Sequence, residues 1–219
     1  MELYLIRHGQ SLNNSLPEEE RVEDPPLTEV GRRQVFHLAR WATTAGFTRL
    51  ISSPFRRTLE TAEPIRRSTG LLPEVWVDLH EQGGCVDGPS PEAMQGRPGM
   101  NRDKIREQFP NFRLADDIDD QGWWKSKPYE TLEEAQIRAE RTVRLTREEF
   151  SHTSQTVALV MHGTFKALMI RQFFPNTHAD AKLLFEIHNT GISKITMTPD
   201  AARLEYYNQV PHLPEELVT

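Results

Sequence analysis

The sequence predicts an α/β fold with a mainly parallel sheet, and three observations carry that prediction. Strand-like and helix-like stretches alternate along the chain, the rhythm of strand–helix–strand units. The run TVALVMHG, Thr156–Gly163, is continuously apolar before its histidine, which suits a parallel strand covered on both faces. Several strand-like stretches also end on polar residues just ahead of a helix, where open parallel sheets gather their ligands. The expectation is one domain over residues 1–219, with helices on both faces of the sheet and a lid-like insertion at about 83–130.

The elements follow in order. Leu3–Arg7 reads as a first strand. From Thr28, apolar residues fall at Val35, Leu38, Ala39 and Ala42, one face of a helix that Gly46 is placed to end. FTRLISSP, Phe47–Pro54, is a second strand, and the helix after it spaces Phe55, Leu59, Ala62 and Ile65 before stopping at Gly70, with a kink expected at Pro64. Glu74–Glu81 reads as a third strand. Thr131 and Glu134 form a capping-box pattern that opens a long amphipathic helix to Phe150. The fourth strand at Thr156 is followed by a helix over Thr164–Phe174, and strands at Ile192–Thr198 and Leu204–Gln209 close the pattern.

The rhythm breaks from Gly83 to Gly122, where six glycines, four prolines and an acidic stretch accumulate, followed by the pair Trp123–Trp124. Two readings stand for this insertion: a lid whose tryptophans wall a site, or a surface excursion whose tryptophans pack onto the sheet.

Composition limits the function. The 219 residues carry a net charge of −6 and no basic stripe, which argues against a nucleic-acid surface. No apolar run is long enough to span a bilayer, and the opening residues lack the features of a secretory signal, so a cytoplasmic protein is expected. Cys85 is the only cysteine, which excludes an internal disulfide and a cysteine-based zinc site. The oligomeric state is not legible.

Placing the strands side by side brings four polar signals to one edge. Arg7-His8 follows the first strand, Ser52-Ser53-Pro54 with Arg56 and Arg57 the second, Glu81 the third and His162-Gly163 the fourth. Arginines offer forks for phosphate oxygens. One histidine could attack phosphorus, a second could hold the phosphoryl group, and a carboxyl group could protonate the leaving oxygen. Phosphoryl transfer needs chiefly positioning and positive charge, which arginines can supply in place of a metal.

These residues, in this order, resemble the histidine phosphatase superfamily, also called phosphoglycerate-mutase-like. The likeness lies in LIRHG with Gln10, Ser11 and Asn14 behind it, in PLTEVGRRQ, in SSPFRRTLETA, in a glutamate closing the third strand and in the late MHG. The resemblance implies a phosphohistidine on His8 and a phosphate pocket of Arg7, Arg57, His162 and Asn14. Arg57 is preferred to Arg56 because it lies three residues after the proline. Glu81 becomes the proton donor, and neither a metal nor another cofactor is implied.

Physical demands can be set beside those roles. His8 must present an unprotonated nitrogen, which Arg7 and Arg57 would favour, and Glu81 must carry a proton, which an apolar or anionic setting would favour. The two requirements predict a bell-shaped pH dependence. His80 and His188 read as structural residues.

The expected activity is hydrolysis of a small-molecule phosphomonoester. One alternative is a phosphoglycerate-type mutase. Such mutases usually follow the glutamate with Arg-His-Tyr-Gly, where this chain has Gln82-Gly83-Gly84-Cys85. Another is a non-catalytic phosphate-binding module. A metal hydrolase fits poorly, since His80-Glu81 lacks the second histidine of the helical zinc motif.

Overall fold

A computed structural model describes residues 1–88, 93–174 and 187–219, so residues 89–92 of the insertion lie outside the described residues. The first strand, β1 (Glu2–Arg7), leads through a single helical turn, α1 (Leu12–Ser15), to α2 (Glu29–Ala42). The chain continues through β2 (Arg49–Ser52), α3 (Arg56–Thr69) and β3 (Glu74–Val75). After the insertion come α5 (Leu132–Phe150), β7 (Thr156–Met161), α6 (Gly163–Phe173), β8 (Ile192–Met197) and β9 (Ala202–Gln209). The insertion itself holds β4 (Val86–Asp87), β5 (Gln95–Gly96), α4 (Arg102–Gln108) and β6 (Arg113–Leu114).

The main sheet has the order β6-β3-β2-β7-β1-β8-β9. All neighbours from β6 to β1 are parallel, while β8 and β9 add antiparallel strands beyond β1. β1 shows why its apolar run is unbroken. Tyr4 and Ile6 pack with Leu38 of α2 and Leu59 of α3, whereas Leu3 and Leu5 pack with Val143 of α5 and Phe165 of α6. Side chains alternate across the sheet, and helices cover both faces.

Local signals account for the helix limits. The Thr131 hydroxyl accepts from Glu134 N–H, and the Glu134 carboxylate accepts in return from Thr131 N–H, so the capping box closes in both directions. Gly70 ends α3 at φ +76°, its N–H donating to Arg66 O at 2.8 Å. Pro64 lies inside α3, which continues through it to Thr69.

The third strand is shorter than its sequence suggests. β3 pairs with β2 only at Ile51–Glu74 and Ser52–Val75, followed by one further bond from Trp76 N–H to Ser52 O. Beyond Ser52 the neighbouring strand turns into Pro54, which has no N–H to share, and Ser53 N–H is taken by Val160 O. Without a partner the chain folds into a 3₁₀ turn, Val77–Leu79, that carries Glu81 over the sheet edge.

Within the insertion, β4 and β5 form a separate antiparallel pair, and β6 returns to extend the main sheet beside β3. Trp123 and Trp124 are buried in the core cluster that also holds Phe55. Trp123 meets Phe55 edge-on at 4.7 Å, and Trp124 meets His80 at 4.9 Å. The packing reading therefore holds for both tryptophans, because indole rings this large bury most area against other rings. Among the described residues, no helix is long and apolar enough to cross a membrane.

Candidate active site

The site is assembled at the C-terminal ends of β1, β2 and β7. Strand pairing carries His8 to its place: Arg7 lies opposite Met161, and His8 N–H donates to Met161 O at 2.9 Å. The next residue must be small. A Cβ on Gly9 would stand 2.7 Å from Val35 and 2.9 Å from Gly31 O, so the loop crosses α2 in contact with its backbone.

The His8 ring is fixed by both nitrogens. Nδ1 lies 2.7 Å from Gly9 O, and Nε2 lies 3.2 Å from Arg57 Nε–H. A carbonyl can only accept and a guanidinium can only donate, so this network places the ring proton on Nδ1 and the lone pair on Nε2. Burial, followed by the charges of Arg57 and Arg7, pushes the His8 pKa well below its ordinary value. The neutral ring expected from the sequence is the form this setting favours.

His162 caps α6 and lies beside His8, with ring centroids 5.2 Å apart. Its Nε2 is 2.8 Å from Ser53 Oγ, while Nδ1 is buried without a hydrogen-bond partner among the described residues. Its pKa is also lowered well below the ordinary value, by burial and then by Arg57. Arg7 shows the same half-occupied pattern: Nη1 donates to Ile187 O, yet Nε is buried without a partner among the described residues. A Cβ on Gly163, next to His162, would stand 3.5 Å from that Nε. Buried polar nitrogens rarely lack partners, and here two of them belong to the two neighbours of His8.

Glu81 differs from expectation. Its Oε1 accepts from Phe165 N–H at 2.9 Å and Gln82 N–H at 3.0 Å, and Oε2 accepts from Thr164 N–H at 3.2 Å. The carboxylate thus sits at the N-terminus of α6 with Arg7 and Arg57 in electrostatic reach, in place of the apolar or anionic setting anticipated.

Asn14 reaches the edge of the group. Its Oδ1 accepts from Ser11 and from Asn189 Nδ2, which leaves its own amide hydrogens as the groups it can offer an oxyanion. Arg56, by contrast, faces outward in an ion pair with Glu60. Above Arg57 and Glu81 opens a cleft of about 410 Å³, walled by Phe55, Val22, Val86, Met94 and Tyr129. The tryptophans proposed as its walls do not line it. Gln82 fixes the rim by donating to Tyr129 Oη at 2.7 Å and Glu130 O at 2.8 Å.

Sequence reasoning passed over three partners. Ser53 was visible in SSP but had no role until His162 folded against it. Thr61 accepts Gly9 N–H at 3.1 Å from one helix away. Asp24 lies in a loop with no motif; it accepts Arg56 N–H at 2.8 Å, and burial raises its pKa to about 7 against the pull of Arg57. Among the described residues no cluster of three or more His, Cys, Asp or Glu side chains is placed to hold a metal ion.

Fold and site together define an α/β protein with a buried, arginine-flanked histidine at its strand ends. The chain belongs to the histidine phosphatase superfamily, branch 1, whose family model matches residues 3–210. The probable phosphoglycerate mutase GpmB of Yersinia pestis is 34% identical over 106 residues, which span 46% of this chain and 49% of that protein. The chain thus matches about half the length of this curated relative. Among solved structures, phosphoserine phosphatase of Entamoeba histolytica in complex with 3-phosphoglyceric acid superposes with a TM-score of 0.65 at 21% identity, covering 97% of this chain and 99% of that one. A mycobacterial glucosyl-3-phosphoglycerate phosphatase gives 0.64 at 20% identity, covering 94% and 98%. These two are likenesses of fold.

Proposed function

We propose that the protein hydrolyses small phosphomonoesters through a phosphohistidine on His8, without a metal. The observation that carries this reading is the arrangement around His8: a lone pair presented on Nε2 by a ring locked through Nδ1, with Arg57 donating to it and with two buried nitrogens on its two neighbours, Arg7 Nε and His162 Nδ1, that have no partner among the described residues. In the proposed reaction Nε2 attacks phosphorus and the bond to the leaving oxygen breaks. Arg57, which now donates to Nε2, turns its donors to the phosphoryl oxygens as phosphorus takes its place. Glu81 gives a proton to the leaving oxygen. Water then attacks the phosphohistidine, Glu81 accepts its proton, and inorganic phosphate leaves with Nε2 restored.

The stretch after Glu81 favours hydrolysis over the mutase alternative that the Yersinia relative's name raises. Gly83 and Gly84 have φ of +95° and +81°, and a Cβ on Gly84 would lie 2.2 Å from the Trp124 ring. No side chain fits where Arg-His-Tyr-Gly would place a tyrosine, if Gln82 matches the arginine.

The test is phosphate release from a panel of esters that includes an aryl phosphate and 3-phosphoglycerate, with chelator present, by wild type and His8→Ala. Turnover by the wild type that the variant loses is the expected result. Chelator-sensitive turnover would overturn the metal-free reading. Isomerisation of phosphoglycerate primed by a bisphosphate, with no phosphate released, would favour the mutase.

A further inference from the structure

The segment just before β8 holds the end of β1 through several bonds. Gly191 O accepts Arg7 N–H at 3.2 Å, and Ile187 O accepts from the Arg7 guanidinium. The His8 carbonyl accepts twice, from Thr190 N–H at 3.1 Å and from Asn189 Nδ2 at 3.1 Å. On the other side of the same peptide, Gly9 N–H donates to Thr61 Oγ1. The peptide plane after His8 is therefore pinned at both its oxygen and its nitrogen. Gly9 O, the next carbonyl along, is the acceptor that holds the His8 ring proton on Nδ1.

Thr190 makes its contact from an unfavourable conformation. Its φ is +57°, and among the four non-glycine residues with positive φ in the described chain it alone is β-branched. A threonine in the left-handed region persists only where its surroundings over-determine it, and such residues concentrate at functional sites. Here the hydroxyl supplies the constraint. Oγ1 donates to Asn189 O at 2.7 Å and lies 2.9 Å from His212 Nε2. Since the hydroxyl proton is spent on Asn189 O, His212 must carry its hydrogen on Nε2 and donate it. His212 itself rests against Trp41.

Asn189 is braced in the same way. Its N–H donates to Thr219 O at 2.7 Å, and its Oδ1 accepts from the Thr219 hydroxyl at 3.2 Å. That hydroxyl also accepts from Gln34 Nε2 at 2.8 Å, and Gln34 Oε1 in turn accepts Gln10 N–H at 2.8 Å. The loop after β1 is thus gripped near both His8 and Gln10 by residues from α2, the pre-β8 segment and the stretch after β9.

We infer that Thr190 is a positioning residue for His8, and that its hydroxyl, bridging His212 and the Asn189 carbonyl, holds the His8–Gly9 peptide in place and, through it, the Gly9 carbonyl that selects the His8 tautomer with its lone pair on Nε2. The role of His8 as nucleophile rests on the function proposed above; the tautomer assignment does not.

The test uses Thr190→Val, which keeps the branching and loses the hydroxyl, and Thr190→Ser, which keeps the hydroxyl. The ¹⁵N shifts of the His8 ring report the tautomer directly, and steady-state kinetics on an aryl phosphate report its effect. In the wild type, His8 is expected to show hydrogen on Nδ1 alone. Thr190→Val should give a mixture of tautomers and lower kcat by roughly 10- to 10²-fold with KM nearly unchanged, while Thr190→Ser restores both. If Thr190→Val does not fold, His212→Phe removes the bond into the Thr190 hydroxyl while keeping a ring against Trp41, and a mixture of tautomers is again expected. An unchanged tautomer in these variants, or a serine variant as impaired as the valine, would overturn the assignment. A wild type that shows the locked tautomer but hydrolyses no ester would leave the positioning inference standing and remove the phosphatase reading.

Discussion

At the strand ends, the floor of the site, His8, Arg57 and His162 are buried polar groups, while the rim of the cleft over Arg57 is drawn largely from residues 83–130, whose strands are only two residues long. The floor is held by directional bonds: His8 to Gly9 O and Arg57, His162 to Ser53, Glu81 to three amides. The rim is held mainly by shape, through Trp123 on Phe55 and Trp124 against Gly84, with Gln82 adding its bonds to Tyr129 and Glu130. The difference separates two jobs. Groups that must point in one direction are locked by hydrogen bonds, and a wall that must only exclude or admit a leaving group is held by packing.

The largest break in that division is expected from Trp123→Ala. Emptying a site that is 1% exposed should lower the unfolding free energy by about 3–5 kcal/mol. Denaturant unfolding would measure the loss, and kcat per folded molecule should stay near the wild-type value. A variant of normal stability would show that the insertion is not fastened through this ring. Arg57→Ala reverses the pattern, with little loss of fold but about 10²–10³-fold lower kcat/KM, or ~3–4 kcal/mol. It should also move the acid limb of the pH profile upward, since Arg57 holds the His8 pKa down.

A third expectation concerns acid. His8, His80 and His162 all have folded pKa values well below the ordinary 6.5. Between those values and 6.5 the unfolded chain binds more protons, so their contribution is fully present above about pH 6.5 and lost as pH falls. Each can remove up to ~1.4 kcal/mol per pH unit. Urea titrations at pH 7.5, 6 and 5 would test this, and a flat profile would refute it. The smallest effect belongs to the rim. Tyr129→Phe removes the hydroxyl that accepts from Gln82, and a loss of about 1 kcal/mol should show as a severalfold change in KM for esters with bulky leaving groups.

The floor was far more legible in the sequence than the rim. The apolar runs of β1 and β7 declare buried strands, and the polar residues after them must then meet at one sheet edge. Glu74–Glu81 misled because strand propensity cannot see that β2 stops offering partners at Ser52. The tryptophans left two readings open because a lid and a core surface have the same composition, and only Phe55 and His80 in place distinguish them. Asn189 belongs to no motif. Its bonds run to His8, Asn14 and Thr219, and no local pattern records partners so distant in the chain.

The pairing of β1 also orders events in time. Its partners are β7 and β8, so Glu2 waits for Thr156 and Thr196, and the His8 carbonyl waits for Asn189 and Thr190. As the chain leaves the ribosome, its first strand has nothing to pair with until most of the sheet has been made. Such long-range closure is slow, and it leaves an apolar strand exposed to chaperones or to aggregation in the meantime. Whatever chemistry His8 performs, the molecule gains it among the last steps of folding.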